Sequence, residues 1–194
     1  MVKASDTPRL WFWWLVFILL IGISVYFALR LAHLDLKLRS SQPGLYSVAR
    51  FVDGDTIDVN MNGKVETIRL IGVDTPETHK PNTPVQCYGP EAAAYTKKLI
   101  GSQNIRLQAD PLDTNRDRYG RLLRYVYLSD NTLVEQKLIT EGYGFAYIQF
   151  PFEKTAEFKA YEQEAKAAGK GLWSACKVMV ETNGRAQTNA LSPN

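Results

Sequence analysis

Two cysteines and two histidines are all the soft metal ligands that this 194-residue chain holds. That is too few for a Cys/His zinc site, since His33 and His79 are poorly placed to join the thiols. It is also too few for a disulfide-dense scaffold. Cys87 and Cys176 are either two buried free thiols or, outside the cytoplasm, one disulfide tying the C-terminal end of the domain to the loop before its first helix. A cationic surplus is missing as well. Residues 44–176 carry 16 lysines and arginines against 17 aspartates and glutamates, so the overall +3 comes from the flanks. A body of this balance does not hold nucleic acid by bulk charge; phosphate recognition has to come from individual arginines. Internal repeats are lacking too.

One long hydrophobic run is present. Residues 10–29, LWFWWLVFILLIGISVYFAL, contain no charge. Twenty residues rising about 1.5 Å each span a hydrocarbon core of about 30 Å. Trp11, Trp13, Trp14 and Tyr26 fall near its ends, where interfacial aromatics belong. The run exceeds the apolar region of a signal peptide, and no small-x-small cleavage site follows it. The expectation is an uncleaved single-pass anchor after an N-terminal flank (1–9). A juxtamembrane stalk (30–43), a folded domain (44–176) and a disordered polar tail (177–194) complete the layout. Lysine and arginine are nearly balanced across the span; start-transfer behaviour favours an extracytoplasmic domain.

Within the domain, 45–52 reads as a strand and Asp53-Gly54-Asp55-Thr56 as a turn in which Gly54 can take a positive φ. Asn62-Gly63 predicts a hairpin of 56–61 with 64–73. The three prolines in 74–87 make a loop. Pro90 and Glu91 open a helix over 89–100. Strands follow at 104–110 and 121–128, then a short helix closed by Gly142, a short extended run at 143–148 and a last helix ending near Gly169. This is α+β: a small five-stranded barrel of the oligonucleotide/oligosaccharide-binding type with three helices.

The chemistry concentrates where that hairpin brings its ends together. Asp55 lies at one end and Asp74 and Glu77 at the other, near Arg69. Turn capping by the aspartates alone would explain each motif separately. Brought together, two or three carboxylates with a carbonyl and waters form the oxygen set of a hard cation such as Ca²⁺. The run NRDRYGR adds Arg116, Arg118 and Arg121. These form either a solvated, internally paired loop or a guanidinium clamp for phosphate oxygens. A metal, two arginines and a free carboxylate are the equipment for cutting a phosphodiester.

Five segments in order, VDGDT, RLIGVDTPET, YGPEAAAYTKKLI, DRYGRLLRYVYL and GLWS, resemble the staphylococcal (micrococcal, thermonuclease) nuclease family over nearly all of residues 48–174. The resemblance implies a five-stranded barrel with three helices that hydrolyses DNA and RNA with Ca²⁺, cleaving the 5′ P–O bond to leave 3′-phosphates. It implies metal ligation by Asp55, Asp74 and the Thr75 carbonyl, and a general base at Glu77. It places phosphate-binding arginines at Arg69 and Arg121, nucleotide stacking on Tyr119 beside Arg118, and Tyr147 in the phosphate pocket. Two features depart from the family. Gln149 stands where a second tyrosine is common, and the loop after Glu77 is lysine-poor; both argue against tight polynucleotide affinity. The expectation is a membrane-anchored monomeric nuclease acting on DNA or RNA. Its rivals are a non-catalytic nucleic-acid-binding module of the same fold and a barrel that binds a protein or saccharide.

Overall fold

A computed structural model describes residues 8–40, 44–79 and 83–191. The chain divides into two compact units, residues 1–43 and 44–194. The first contains one helix, α1 (Pro8–Ser40). Its segment Trp11–Leu31 has a mean hydropathy of 2.4 and is long and apolar enough to cross a membrane. The expected stalk is helical as far as Ser40 and continues α1 without a break. Residues 1–7 of the expected flank and 41–43 of the stalk lie outside the described residues.

The second unit is the expected α+β barrel. Its strands are β1 (Val48–Asp53), β2 (Thr56–Met61), β3 (Lys64–Leu70), β5 (Arg106–Gln108) and β6 (Leu122–Tyr127), in the sheet order β1-β2-β3-β6-β5. The hairpin β2–β3 turns on Asn62 and Gly63, both at positive φ as a type I′ turn requires. The β3–β6 pair is parallel, with Arg69 beside Leu123. Tyr46 and Ile105 exchange backbone hydrogen bonds of 2.8 and 2.9 Å, joining the two outer strands and closing the barrel. Ile57, Val59, Ile68, Leu70, Leu107 and Val126 fill it and are buried. Burying such a side chain stabilises by about 1.5–3 kcal/mol each.

Between β3 and β5 come the two-residue strand β4 (Val73–Asp74) and helix α2 (Gly89–Ile100). Pro90 and Glu91 lie in the first turn of α2 and Lys97 and Lys98 in its last, each matching the helix dipole. Helix α3 (Val134–Thr140), strand β7 (Phe145–Ala146), helix α4 (Thr155–Ala167) and the single turn α5 (Leu172–Ala175) follow. Leu138, Ile139, Phe158 and Leu172 close the lower core.

The tail corrects the sequence reading. Residues 178–188 form an antiparallel hairpin, β8 (Val178–Val180) with β9 (Ala186–Thr188), where disorder was expected. Polar composition misleads here because the hairpin needs no core of its own. Cys87 N–H donates to the Asn189 carbonyl at 2.8 Å and Leu191 N–H to the Val85 carbonyl at 2.8 Å. Cys87 and Cys176 are joined in a disulfide, with Cα atoms 5.9 Å apart. The folded unit therefore continues past 176. Asn183-Gly184, the same dipeptide that turns β2 into β3, was the available signal, and Gly184 has φ +83°.

Candidate functional site

The β2–β3 hairpin and the short strand β4 bring the candidate acids to one end of the barrel. Thr56 sits opposite Arg69 in the β2–β3 register, so Asp55 meets the chain as it leaves β3. Leu70 N–H donates to the Asp55 carbonyl at 3.0 Å. The Asp55 carboxylate accepts from Thr75 N–H at 2.9 Å and from the Thr75 hydroxyl at 3.2 Å. Thr56 Oγ1 donates to its other oxygen at 2.9 Å. This close approach depends on Gly54. A Cβ there would lie 2.7–2.9 Å from the Thr75 side chain. The glycine serves space rather than a positive φ, which corrects the reason inferred from the turn.

Arg69 sits between the acids. Its Nη2 lies 3.2 Å from Asp55 Oδ2 and 2.9 Å from Asp74 Oδ1. Its Nη1 donates to the Leu70 and Val73 carbonyls at 2.8 and 2.7 Å, which fixes the guanidinium plane. Burial works against its charge, but Asp55, Asp74 and Glu77 outweigh that and hold Arg69 above its usual range. Burial pushes the Asp74 carboxyl up despite Arg69. Burial and the neighbouring Asp55 likewise raise Asp53, the first acid of the turn Asp53-Gly54-Asp55-Thr56. Asp53 accepts from the Thr78 hydroxyl at 3.0 Å and so holds the loop that carries Glu77.

Glu77 is positioned by its backbone. Its N–H donates to Gln86 Oε1 at 2.8 Å and its carbonyl accepts from Gln86 N–H at 2.9 Å. The side chain is a quarter exposed, with Arg185 Nη2 at 3.7 Å from Oε1. Arg185 was missed entirely, because nothing local marks a contact with Asp74 across 111 residues.

The other basic residues form a second group on the loop before β6. Arg121 Nε donates to Asp117 Oδ2 at 2.7 Å, and its guanidinium lies 5.4 Å from the centre of the Tyr119 ring. Arg118 bonds the Tyr119 hydroxyl at 2.7 Å, and Tyr119 is 69% exposed. Arg116 is spent on Glu66 at 2.9 Å. Arg121 is thus not in contact with the acids. It lies just before β6, two residues from Leu123, the partner of Arg69 in the β3–β6 register. One strand spacing of about 4.8 Å and two residues of about 3.3 Å each separate their Cα positions by roughly 8 Å. Tyr147 approaches from β7, its N–H bonded to the Gly72 carbonyl at 2.8 Å, and its ring lies 6.0 Å from the Arg185 guanidinium.

The donor set suits a hard cation. Three carboxylates, Asp55, Asp74 and Glu77, lie against two guanidinium groups, Arg69 and Arg185, so the cluster keeps a surplus of negative charge. Among the described residues no three His, Cys, Asp or Glu side chains converge closely enough to hold a metal by themselves. The acids that come nearest to such a set are Asp55 and Asp74, whose carboxylates lie 3.2 and 2.9 Å from the one nitrogen Arg69 Nη2.

Comparison with known proteins gives a consistent result. Residues 67–175 match the family described as "Staphylococcal nuclease homologue". A thermonuclease of Staphylococcus hyicus is 43% identical over 138 residues, 71% of this chain and 80% of that protein. The SPbeta prophage-derived endonuclease YokF of Bacillus subtilis (strain 168) is 47% identical over 127 residues, 64% of this chain and 42% of that protein. Endonuclease YncB of the same organism is 46% identical over 127 residues, 64% of this chain and 59% of that protein. The chain thus spans less than two thirds of the two Bacillus proteins.

Proposed function

The chain belongs to the staphylococcal nuclease family, a family of metal-dependent phosphodiester hydrolases, and from that premise we propose a membrane-anchored, Ca²⁺-dependent nuclease acting on DNA or RNA. The observation that carries the reading is the convergence of Asp55 and Asp74 on the single nitrogen Arg69 Nη2. Asp55, Asp74 and the Thr75 carbonyl would hold the ion. Bound there, it supplies positive charge to the phosphate oxygens and favours ionisation of water.

The chain's own residues do the rest. Arg69, immobilised by two carbonyls, offers its remaining donors to a non-bridging phosphate oxygen. Arg121 exchanges Asp117 for the phosphate on the opposite side. As water attacks, the phosphorus becomes five-coordinate and gains negative charge, which two fixed guanidinium groups stabilise more than they stabilise the ground state. Glu77, held by Gln86 and partly open to solvent, takes the proton from the attacking water. Tyr119, exposed and flanked by two arginines, offers a ring face for a base. Breaking the bond to the 5′ oxygen leaves a 3′-phosphate.

Helix α1 anchors the enzyme in this reading, which places the nuclease unit outside the cytoplasm as a monomer. The joined cysteines support that compartment, since disulfides persist in oxidising surroundings. The direct test uses the full chain in detergent with single-stranded DNA. Cleavage is expected with Ca²⁺ and absent with EDTA. Glu77→Gln should lower the rate by about 10²–10⁴-fold, the usual weight of a general base. Undiminished cleavage by Glu77→Gln, or cleavage in EDTA, refutes the assignment.

A further inference from the structure

We propose that Arg185, carried on the β8–β9 hairpin, is a built-in counter-cation of the acid cluster that a divalent ion has to displace from Asp74, so that the tail sets the metal affinity of the enzyme. The proposal rests on the metal-binding reading of Asp55 and Asp74 given above. Arg185 grips Asp74 with both prongs of its guanidinium: Nε lies 2.7 Å from Oδ2 and Nη2 lies 3.1 Å from Oδ1. The same Nη2 is 3.7 Å from Glu77 Oε1. With Arg69 already on Oδ1, both oxygens of the proposed metal ligand carry a cationic partner.

Arg69 and Arg185 differ in kind. Arg69 is tied to two backbone carbonyls and belongs to the barrel frame. The described side-chain partners of Arg185 are Asp74, Glu77 and the face of Tyr147, so it can leave without breaking a backbone contact. Its placement is nevertheless built. The Asn183 side chain accepts from Arg185 N–H at 2.8 Å, and the Arg185 carbonyl accepts from Glu181 N–H at 2.8 Å, which shapes the hairpin turn. The hairpin base is fastened by the disulfide, by Lys177 N–H on Asn189 Oδ1 at 2.8 Å, and by the Thr188 hydroxyl on the Cys87 carbonyl at 2.7 Å. Gln187 meets Gln86, the residue that holds Glu77. A bidentate guanidinium and a divalent ion cannot both approach one carboxylate closely without mutual repulsion. Binding the ion therefore requires work against the Arg185–Asp74 pair.

Calorimetric titration of Ca²⁺ into the full chain in detergent, without nucleic acid, separates the outcomes. Arg185→Gln is expected to bind Ca²⁺ at least tenfold more tightly than the unaltered protein. Arg185→Lys keeps the charge but loses the fork, and should tighten binding severalfold; it decides the question if the glutamine variant does not fold. Equal or weaker Ca²⁺ affinity in the folded variants overturns the counter-cation role while leaving the metal site standing. No Ca²⁺ binding by any of the proteins overturns the metal reading and this inference with it.

Discussion

At the scale of single residues, the proposed roles separate groups for chemistry from groups for shape. Arg121 is the sharpest case. Its pair with Asp117 is partly exposed, and such a pair contributes about 0–1 kcal/mol to stability. Its proposed work on phosphate depends on a planar fork that lysine lacks. Arg121→Lys is therefore expected to reduce kcat by about 100-fold while changing unfolding free energy by less than about 1 kcal/mol. Steady-state kinetics beside a thermal melt checks both halves; a variant that melts early and keeps its turnover contradicts the role. Much of this level was legible in the chain. The segments around Asp55, Arg69, Asp74, Glu77 and Arg121 each pair a reactive side chain with a turn or strand end, so local sequence located them. Arg185 was not legible because Asp74 lies 111 residues away; Gln86 was not because the irregular loop it shares with Glu77 has no periodicity from which its contacts can be read. Asp53 was within a segment already singled out, yet its tie to Thr78 appears only when the loop folds back.

At the scale of elements, the β2–β3 hairpin and the β8–β9 hairpin meet around Asp74. The first was readable from Asn62-Gly63 and from alternation of Ile57 and Val59 with polar neighbours. The second carries the same turn dipeptide but lacks buried alternation, and its stability comes from attachment to the loop 85–88. The disulfide closes a sequence separation of 89 residues and joins that loop to the start of the hairpin. Breaking it, by reductant or by Cys87→Ser with Cys176→Ser, is expected to lower stability by about 2–4 kcal/mol. Protease sensitivity should rise first within residues 177–191, which lose their fastening. Denaturant midpoints with and without reductant, followed by mapping of the earliest cleavage sites, test this; an unchanged midpoint contradicts it.

At the scale of the whole molecule, two units of different physics share one chain. Helix α1 carries no charged side chain over residues 11–29, where large side chains such as Trp11, Trp13, Leu19 and Phe27 are exposed, and it is long and apolar enough to cross a membrane. The full chain is expected to stay with membranes through high salt and alkaline washing and to leave only with detergent. Added protease should remove the 44–194 unit from intact cells. Release by salt contradicts the anchor, and protection from protease in intact cells contradicts the orientation. What the sequence alone determined was everything encoded locally: the apolar run, the α+β order of strands and helices, the turn glycines, and the acidic and basic residues at strand ends. Periodicity and turn chemistry act over a few neighbouring residues, so they can be read without a fold. Only the tertiary structure decided which distant groups share a charge: that Arg69 lies between two aspartates, that Arg121 is paired with Asp117 rather than with those acids, and that an arginine from the tail reaches Asp74. Those pairings depend on how the barrel closes and on where the disulfide fastens the hairpin, and no stretch of neighbouring residues contains that information.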